Sequence, residues 1–171
     1  MSESMDLHAS PMRNNVDSNA PVQTPTGFVR SEYGVLLRKN WLDATFHFCK
    51  IGAYDTLLVD YLRHQYRAFN FVDIGANQGL YAILAAQNAH CQRVIAFEPV
   101  ADTFSLLKTN IAINKVADTV HPIQAAVCLE TGSARIMKKL GHSGAASMRK
   151  LPRWSRVTET IATIGPDQLC A

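Results

Sequence analysis

The feature that most constrains the fold is a glycine-rich turn between a short apolar run and an alanine-rich segment. The run covers residues 69–74, and the turn has the skeleton D-x-G-x-x-x-G, with Asp73, Gly75 and Gly79. A short apolar run of this kind is typical of a buried strand in a parallel sheet. Glycine permits the abrupt change from strand to helix that the spacing requires. The sequence therefore predicts a strand–turn–helix unit here.

Two further apolar runs follow along the chain. Residues 93–97 form the second run, and a predicted helix over residues 79–89 separates it from the first. The third run covers residues 120–128 and follows a helix for which Asp102 is the predicted N-terminal cap. Strand, helix, strand, helix and strand in this order predict an α/β fold with a parallel, Rossmann-like βαβαβ core, because right-handed crossovers place such strands in one sheet.

Weaker signals flank this core. On its amino-terminal side, residues 33–38 and 45–50 are predicted to be short strands, and residues 57–67 a helix. On its carboxy-terminal side, residues 135–138 are predicted to be a strand and residues 141–144 a loop.

Composition indicates one globular domain that follows an amino-terminal tail. Of the 171 residues, 47% are hydrophobic and 18% charged, with a net charge of +3. Residues 1–26 are rich in Ser, Asn and Pro and lack aromatic residues, so we expect a disordered tail there and the domain over residues 27–171. No apolar run is long enough to span a bilayer, and the first eleven residues lack a signal-peptide core. We expect a cytoplasmic protein that does not enter a membrane.

Two acidic residues mark the predicted binding site. Asp73 ends the first strand and Glu98 follows the second. Ligands of open parallel sheets bind in the crevice outside the carboxyl ends of the strands, where an acidic residue after the second strand accepts hydrogen bonds from ribose hydroxyls. Asn77 can orient the turn or donate to the ligand. The combination predicts an adenosine-containing ligand.

The spacing of the glycines distinguishes two ligands of this kind. A dinucleotide site prefers G-x-G-x-x-G, whose amides face a pyrophosphate. Here the glycines are four apart, and the carboxylate of Asp73 would repel a pyrophosphate but attract the ammonium group of S-adenosylmethionine. The pattern favours S-adenosylmethionine and leaves a NAD-dependent Rossmann enzyme as a weaker alternative.

Three segments of the sequence resemble the FkbM-type S-adenosylmethionine-dependent methyltransferases. They are Val72-Asp-Ile-Gly-Ala-Asn-Gln-Gly-Leu-Tyr81, Ala96-Phe-Glu-Pro99 and Phe104-x-x-Leu-x-x-Asn110-x-x-x-Asn114. The resemblance implies a class I methyltransferase fold, a cofactor-binding half over residues 52–128, and O-methylation of a sugar or another small molecule. By position it implies these cofactor-binding residues: Asp73, Gly75, Ala76, Asn77, Gly79 and Glu98, with Ala125 and Ala126 near the adenine.

The sequence departs from the family at its carboxyl end. The family continues into a fourth strand with a Lys-x-Asp-x-Glu-Gly-like segment, whereas here Asp167 and Leu169 resemble only the lead-in to that strand. We therefore predict a truncated domain that holds the amino-terminal half of the full sheet, and we assign no catalytic residue. A non-catalytic cofactor-binding or interaction fragment is the alternative function.

Other candidate features are weaker. Seven basic residues and no acidic residue lie between Thr131 and Thr158. Because charge alone seldom specifies a partner, we expect a solvated face there and no nucleic acid. The methyl acceptor that the resemblance implies is a small molecule or a glycan. No histidine spacing suits a metal, so we expect none. His142 is a candidate general base, and Tyr54 and Asp55 are candidates for the methionine end of the cofactor. The sequence leaves the oligomeric state open.

Overall fold

The structure is a computed structural model that describes residues 23–53, 56–148 and 157–169. Residues 1–22, which make up most of the predicted disordered tail, lie outside the described residues. In the part of the chain that is described, no helix has the length and apolar character that crossing a bilayer requires. The cytoplasmic location and the domain limits stay predictions.

A parallel three-stranded sheet forms the centre of the fold. Its strands are β3 (Phe69–Ile74), β4 (Cys91–Phe97) and β5 (Val120–Ile123), in the order β3-β4-β5. Helices α3 (Leu80–Gln87) and α4 (Ala101–Ile113) connect them. This arrangement confirms the predicted Rossmann-like βαβαβ core. Pro122 lies in β5 at the edge of the sheet, as expected for a residue without a backbone N–H.

The hydrophobic core lies between the sheet and these helices. Val94 and Ala96 on β4 are fully buried, as are Ile83 on α3 and Leu107 on α4. The other edge strand, β3, pairs with β4 alone among the described residues. Its side chains alternate, so Asn70, Val72 and Ile74 on the opposite face are exposed. That these strands form half of a larger sheet stays a prediction.

The amino-terminal region contains a hairpin and two helices. Strands β1 (Phe28–Arg30) and β2 (Leu36–Arg38) pair antiparallel, and they are followed by α1 (Ala44–Lys50) and α2 (Thr56–His64). The prediction of a strand over residues 45–50 is wrong. Asp43 caps α1 by accepting a hydrogen bond from the Phe46 N–H at 3.0 Å, and the buried residues Phe46 and Cys49 follow helical spacing rather than alternation.

A second sheet lies after the core. Its strands are β6 (Ala126–Val127), β7 (Gly132–Lys139), β8 (His142–Ser147) and β9 (Val157–Ile164), in the order β6-β9-β7-β8, and a short helix α5 (Pro166–Leu169) follows. The strand predicted over residues 135–138 is confirmed as part of β7. The predicted loop over residues 141–144 is wrong, because Leu140 and Gly141 make the turn and β8 begins at His142.

Two further predictions about the core need correction. The third strand is not continuous over residues 120–128, because the chain turns at Ala125, whose N–H donates to the carbonyl of Ile123, and β6 then joins the second sheet. Asp102 does not cap α4. The cap position is Val100, and Asp102 lies in the first turn with its carboxylate 3.4 Å from Lys138 Nζ. The N–H of Ala101 finds its acceptor in the Glu159 side chain instead.

Candidate functional site

The glycine-rich turn between β3 and α3 forms a loop with a left-handed backbone at three positions. The φ angles are +81° at Gly75, +51° at Asn77 and +88° at Gly79. Glycine adopts these angles at little cost, and asparagine tolerates them better than most residues. The residue types at these positions therefore match the backbone that they must adopt.

The neighbouring strand holds this loop in place. The N–H groups of Gly75 and Ala76 both donate to the carbonyl of Phe97, at 2.9 and 2.8 Å. Glu98 adds a second attachment, because its Oε2 accepts the N–H of Asn77 at 3.0 Å while its Oε1 accepts the N–H of Val100 at 2.9 Å. The loop and the end of β4 thus form one hydrogen-bonded unit.

Burial also sets the electrostatics of Glu98, which is only 5% exposed. Burial raises the pKa of this carboxyl above its ordinary value, the two backbone N–H donors reduce the rise, and the carboxylates of Asp73 and Glu159 add to it. A carboxylate oxygen has two lone-pair directions. Each Glu98 oxygen therefore keeps acceptor capacity after binding one backbone N–H.

Asp73 lies beneath the loop rather than on its surface. Its Oδ2 accepts the N–H of Ala82, in the first turn of α3, at 3.1 Å. Burial raises the pKa of Asp73 to about 6, and the hydrogen bond from Ala82 partly opposes this. At neutral pH the group is therefore still ionised, and it supplies a negative charge under the loop.

The two glycines of the motif have different surroundings. A Cβ added at Gly75 would meet nothing within 4 Å, whereas one added at Gly79 would lie 2.5 Å from Leu107 Cδ1. Gly79 is thus required for close packing between α3 and α4, and Gly75 leaves open space beside the loop. Of the two glycines that the resemblance implies for cofactor binding, Gly75 has open space beside its backbone and Gly79 does not.

Asn110 is a buried attachment point that the sequence analysis used only for the resemblance. Its side chain is fully buried; Nδ2 donates to the carbonyl of Gln78 at 2.8 Å, and Oδ1 accepts the N–H of Arg38 at 2.7 Å. One amide therefore joins the loop, α4 and the amino-terminal hairpin. An asparagine on the same helix face as the apolar Leu107 and Ile111 is the signal that points to such a role.

Asp43 and Ser143 form a second attachment that sequence reasoning missed. Asp43 Oδ2 accepts the N–H of Ser143 at 2.9 Å, and the Ser143 hydroxyl lies 3.2 Å from Asp43 Oδ1 and 3.1 Å from Asn77 Oδ1. This contact joins α1, β8 and the loop. A capping rule applied to the residue before Ala44 would have found Asp43, but nothing local indicates Ser143.

A cavity of about 200 Å³ lies beside the loop. It is lined by loop residues 75–78, by Thr45 and Cys49 of α1, by the start of α3 and by Gly144 of β8. Gln78 is 1% exposed, and its side-chain amide has no hydrogen-bond partner among the residues that the structure describes. The cavity therefore combines an open glycine backbone with an unpaired buried amide.

The structure brings the predicted cofactor-binding residues together. Asp73, Gly75, Ala76, Asn77, Gly79 and Glu98 all lie at the carboxyl ends of β3 and β4. Ala125 is buried after β5. His142 lies on β8, where Nδ1 is 3.2 Å from the hydroxyl of Thr45. Tyr54 and Asp55 lie outside the described residues.

The predicted basic stretch is only partly described. Arg135, Lys138 and Lys139 lie on β7, and Lys138 forms ion pairs with Glu159 at 2.8 Å and with Asp102 at 3.4 Å. The other four basic residues of this stretch lie outside the described residues. The charge of Lys138 is thus matched within the fold.

Solved structures that are similar to this chain include two methyltransferases and a protein named Trm5b. The M. jannaschii tRNA m1G37 methyltransferase is 18% identical with a TM-score of 0.43, covering 57% of this chain and 29% of that one. Trm5b from Pyrococcus abyssi is 23% identical with a TM-score of 0.41, covering 56% of this chain and 27% of that one. The Bacillus cereus O-methyltransferase in complex with SAH is 20% identical with a TM-score of 0.36, covering 41% of this chain and 34% of that one. This chain thus spans about a third of their length. A comparison with curated protein sequences found no match.

The fold and the loop define the class to which the chain belongs, that of Rossmann-like α/β domains. Within this class, the model of the methyltransferase FkbM domain matches residues 73–166, which is more than half of the chain. The chain belongs to the FkbM methyltransferase family. The resemblance found in the three sequence segments is confirmed.

Proposed function

We propose that this chain binds S-adenosylmethionine at the loop between β3 and α3 and acts as an O-methyltransferase on a sugar or another small molecule. The observation that carries the proposal is the Glu98 carboxylate, which is fixed beside the loop at the end of β4. Family membership supports the same cofactor class.

The residues present fit the adenosyl part of this cofactor. Each oxygen of Glu98 retains a lone pair for a ribose hydroxyl beyond the backbone N–H that it accepts. The space beside Gly75 admits close approach to the backbone. Asp73, with a pKa of about 6, provides a negative charge at neutral pH, which suits a cationic ligand better than the pyrophosphate of NAD.

The chain's own contribution to methyl transfer is binding and orientation. Bound S-adenosylmethionine would supply an already activated methyl group, so positioning can account for much of the rate. Glu98 and Asn110 hold the loop on which the cofactor would rest, and Asp43 and Ser143 hold its outer side. We assign no catalytic base, and the methyl acceptor stays a prediction of the small-molecule or glycan class.

Calorimetry with the complete chain tests the cofactor proposal. We expect saturable 1:1 binding of S-adenosylhomocysteine, with NAD unable to displace it. Absence of heat with S-adenosylhomocysteine and S-adenosylmethionine, from a sample whose folding is verified by circular dichroism, would reject the proposal. NAD binding at the same site would favour a nicotinamide-dependent enzyme instead.

Turnover separates the two remaining functions. Incubation with methyl-labelled S-adenosylmethionine and a library of hydroxylated small molecules and glycans is expected to produce labelled product. Cofactor binding without transfer to any acceptor would favour a non-catalytic binding module, which is also compatible with the edge position of β3, a strand that pairs with β4 alone among the described residues.

A further inference from the structure

The side chain of Gln78 is a buried polar group that has no role in the contacts described so far. It is 1% exposed, and neither Nε2 nor Oε1 has a hydrogen-bond partner among the described residues. Only the backbone of this residue is satisfied, because its N–H donates to Asn77 Oδ1 at 2.9 Å and its carbonyl accepts from Asn110 Nδ2 at 2.8 Å. A buried amide without partners destabilises the folded protein, and a leucine or methionine of similar volume would fill the same space without that penalty.

The position of Gln78 suggests why an amide is present. The residue lines the cavity of about 200 Å³ between the loop and α1, together with Asn77, Thr45, Cys49 and Tyr81. None of the described residues that line this cavity carries a formal charge at neutral pH. An uncharged cavity does not suit a phosphate or an isolated carboxylate, because burial of one unpaired charge is costly.

A zwitterionic group fits this cavity better. The amino-acid end of S-adenosylmethionine carries an ammonium and a carboxylate on one carbon, so its net charge is zero. The amide of Gln78 offers an acceptor, Oε1, beside a donor, Nε2. The first turn of α3 faces the same cavity through Leu80 and Tyr81, and the partial positive charge at a helix N-terminus favours a carboxylate there.

We propose that the side-chain amide of Gln78 binds the amino-acid end of the cofactor, with Oε1 accepting from the ammonium and Nε2 donating to the carboxylate. This inference rests on the proposed function, because it assumes that the adenosyl part binds at Glu98. Gln78 then selects adenosyl ligands that carry an amino acid over those that lack it. Its unpaired state in the free protein becomes a paired state on binding.

Two ligands that differ in this end group test the proposal. S-adenosylhomocysteine carries the amino acid, and 5′-methylthioadenosine lacks it. By calorimetry, Gln78→Leu is expected to weaken S-adenosylhomocysteine about tenfold or more, as expected for lost hydrogen bonds to charged groups. Binding of 5′-methylthioadenosine should change by less than about twofold. The melting temperature of the variant should equal or exceed that of the wild type, since an unpaired buried amide is removed.

A matched control and a second variant complete the test. Gln87→Leu makes the same change at the exposed last residue of α3, the helix that follows the loop, and should alter neither affinity. If Gln78→Leu does not fold, Gln78→Met provides an unbranched apolar replacement with the same expected outcome. Equal losses for both ligands, or no loss for either, would overturn the role of Gln78 and leave the proposed function standing. Failure of the wild type to bind either ligand would overturn both.

Discussion

The backbone N–H of Asn77 donates to Oε2 of Glu98 at 3.0 Å, so the carboxylate of the residue that follows β4 fixes the glycine-rich loop after β3. The same side chain accepts the N–H of Val100 and thereby fixes the start of α4. In the proposed function this carboxylate would also bind the ribose. Glu98 is therefore expected to affect loop geometry and ligand affinity together.

Replacement of Glu98 by glutamine tests this double role. The amide keeps one acceptor oxygen, loses the negative charge, and turns an NH₂ group toward one of the two backbone N–H groups. We expect the affinity for S-adenosylhomocysteine to fall by about tenfold or more, equivalent to about 1.4 kcal/mol. Calorimetry provides the measurement. Glu32→Gln, the same change at an exposed position, is the control, and similar affinities for the two variants would contradict the assignment.

The two glycines of the loop are expected to respond differently to alanine. Both have left-handed φ angles, so either substitution should cost about 1–2 kcal/mol of stability in backbone strain. Gly79→Ala should cost more, because its Cβ would also collide with Leu107. Gly75→Ala should instead reduce ligand affinity, since it fills the open space beside the loop. Urea unfolding compares the two, and equal stability losses would show that Gly79 is not the packing position between α3 and α4.

Asn110→Asp tests the buried attachment of the loop. The aspartate keeps an acceptor for the N–H of Arg38 but loses the donor to the carbonyl of Gln78, and two oxygens then face each other. We expect a destabilisation of about 2–3 kcal/mol or more, measured by urea unfolding. Asn70→Asp, at an exposed position on β3, serves as the control. Coincident unfolding curves for the two variants would contradict this role of Asn110.

Asp73 is expected to make stability depend on pH. Its pKa is raised from 3.8 to about 6 in the folded protein, so the folded state retains a proton that the unfolded state has released. The contribution of this group to the free energy of unfolding is therefore fully present below about pH 4. It is lost as the pH rises through 6, by up to about 3 kcal/mol. Asp73→Asn should stabilise the protein at pH 7.5 more than at pH 4.5.

Unfolding in urea at the two pH values measures this difference. The control is Asp118→Asn, which makes the same change at an exposed position. A stability gain in Asp73→Asn of the same size at both pH values would show that the carboxyl at position 73 is not destabilised by burial.

The parallel core could be predicted because each of its strands is a short apolar run bounded by a helix signal. Strong patterns of this kind depend on local sequence alone. Residues 45–50 were assigned wrongly because alternation of Phe46 and Phe48 imitates a strand over so short a segment, while the deciding contact is the cap from Asp43. The break at Ala125 depends on β6 joining a different sheet, which no local pattern reveals.

The candidate site could be predicted only in its sequence-local part. Asp73 and the glycines lie in one motif, and Glu98 follows from the order of the strands. By contrast, the contacts of Ser143 with Asp43 and with Asn77 join residues that are 100 and 66 positions apart. A single sequence holds no signal for pairs at such separations, because their meeting is decided by packing of the whole domain.

Asn110 has a consequence for the order in which the domain folds. Its amide joins the chain at Arg38 and at Gln78, which are 72 and 32 positions away. Contacts of such large sequence separation require costly loop closure and usually form late. The binding loop should therefore be among the last parts to acquire native structure during refolding, so that nascent or partly folded chains lack the cofactor site even when β3 and β4 have already paired. Pulsed hydrogen exchange should detect late protection of the amide of Arg38.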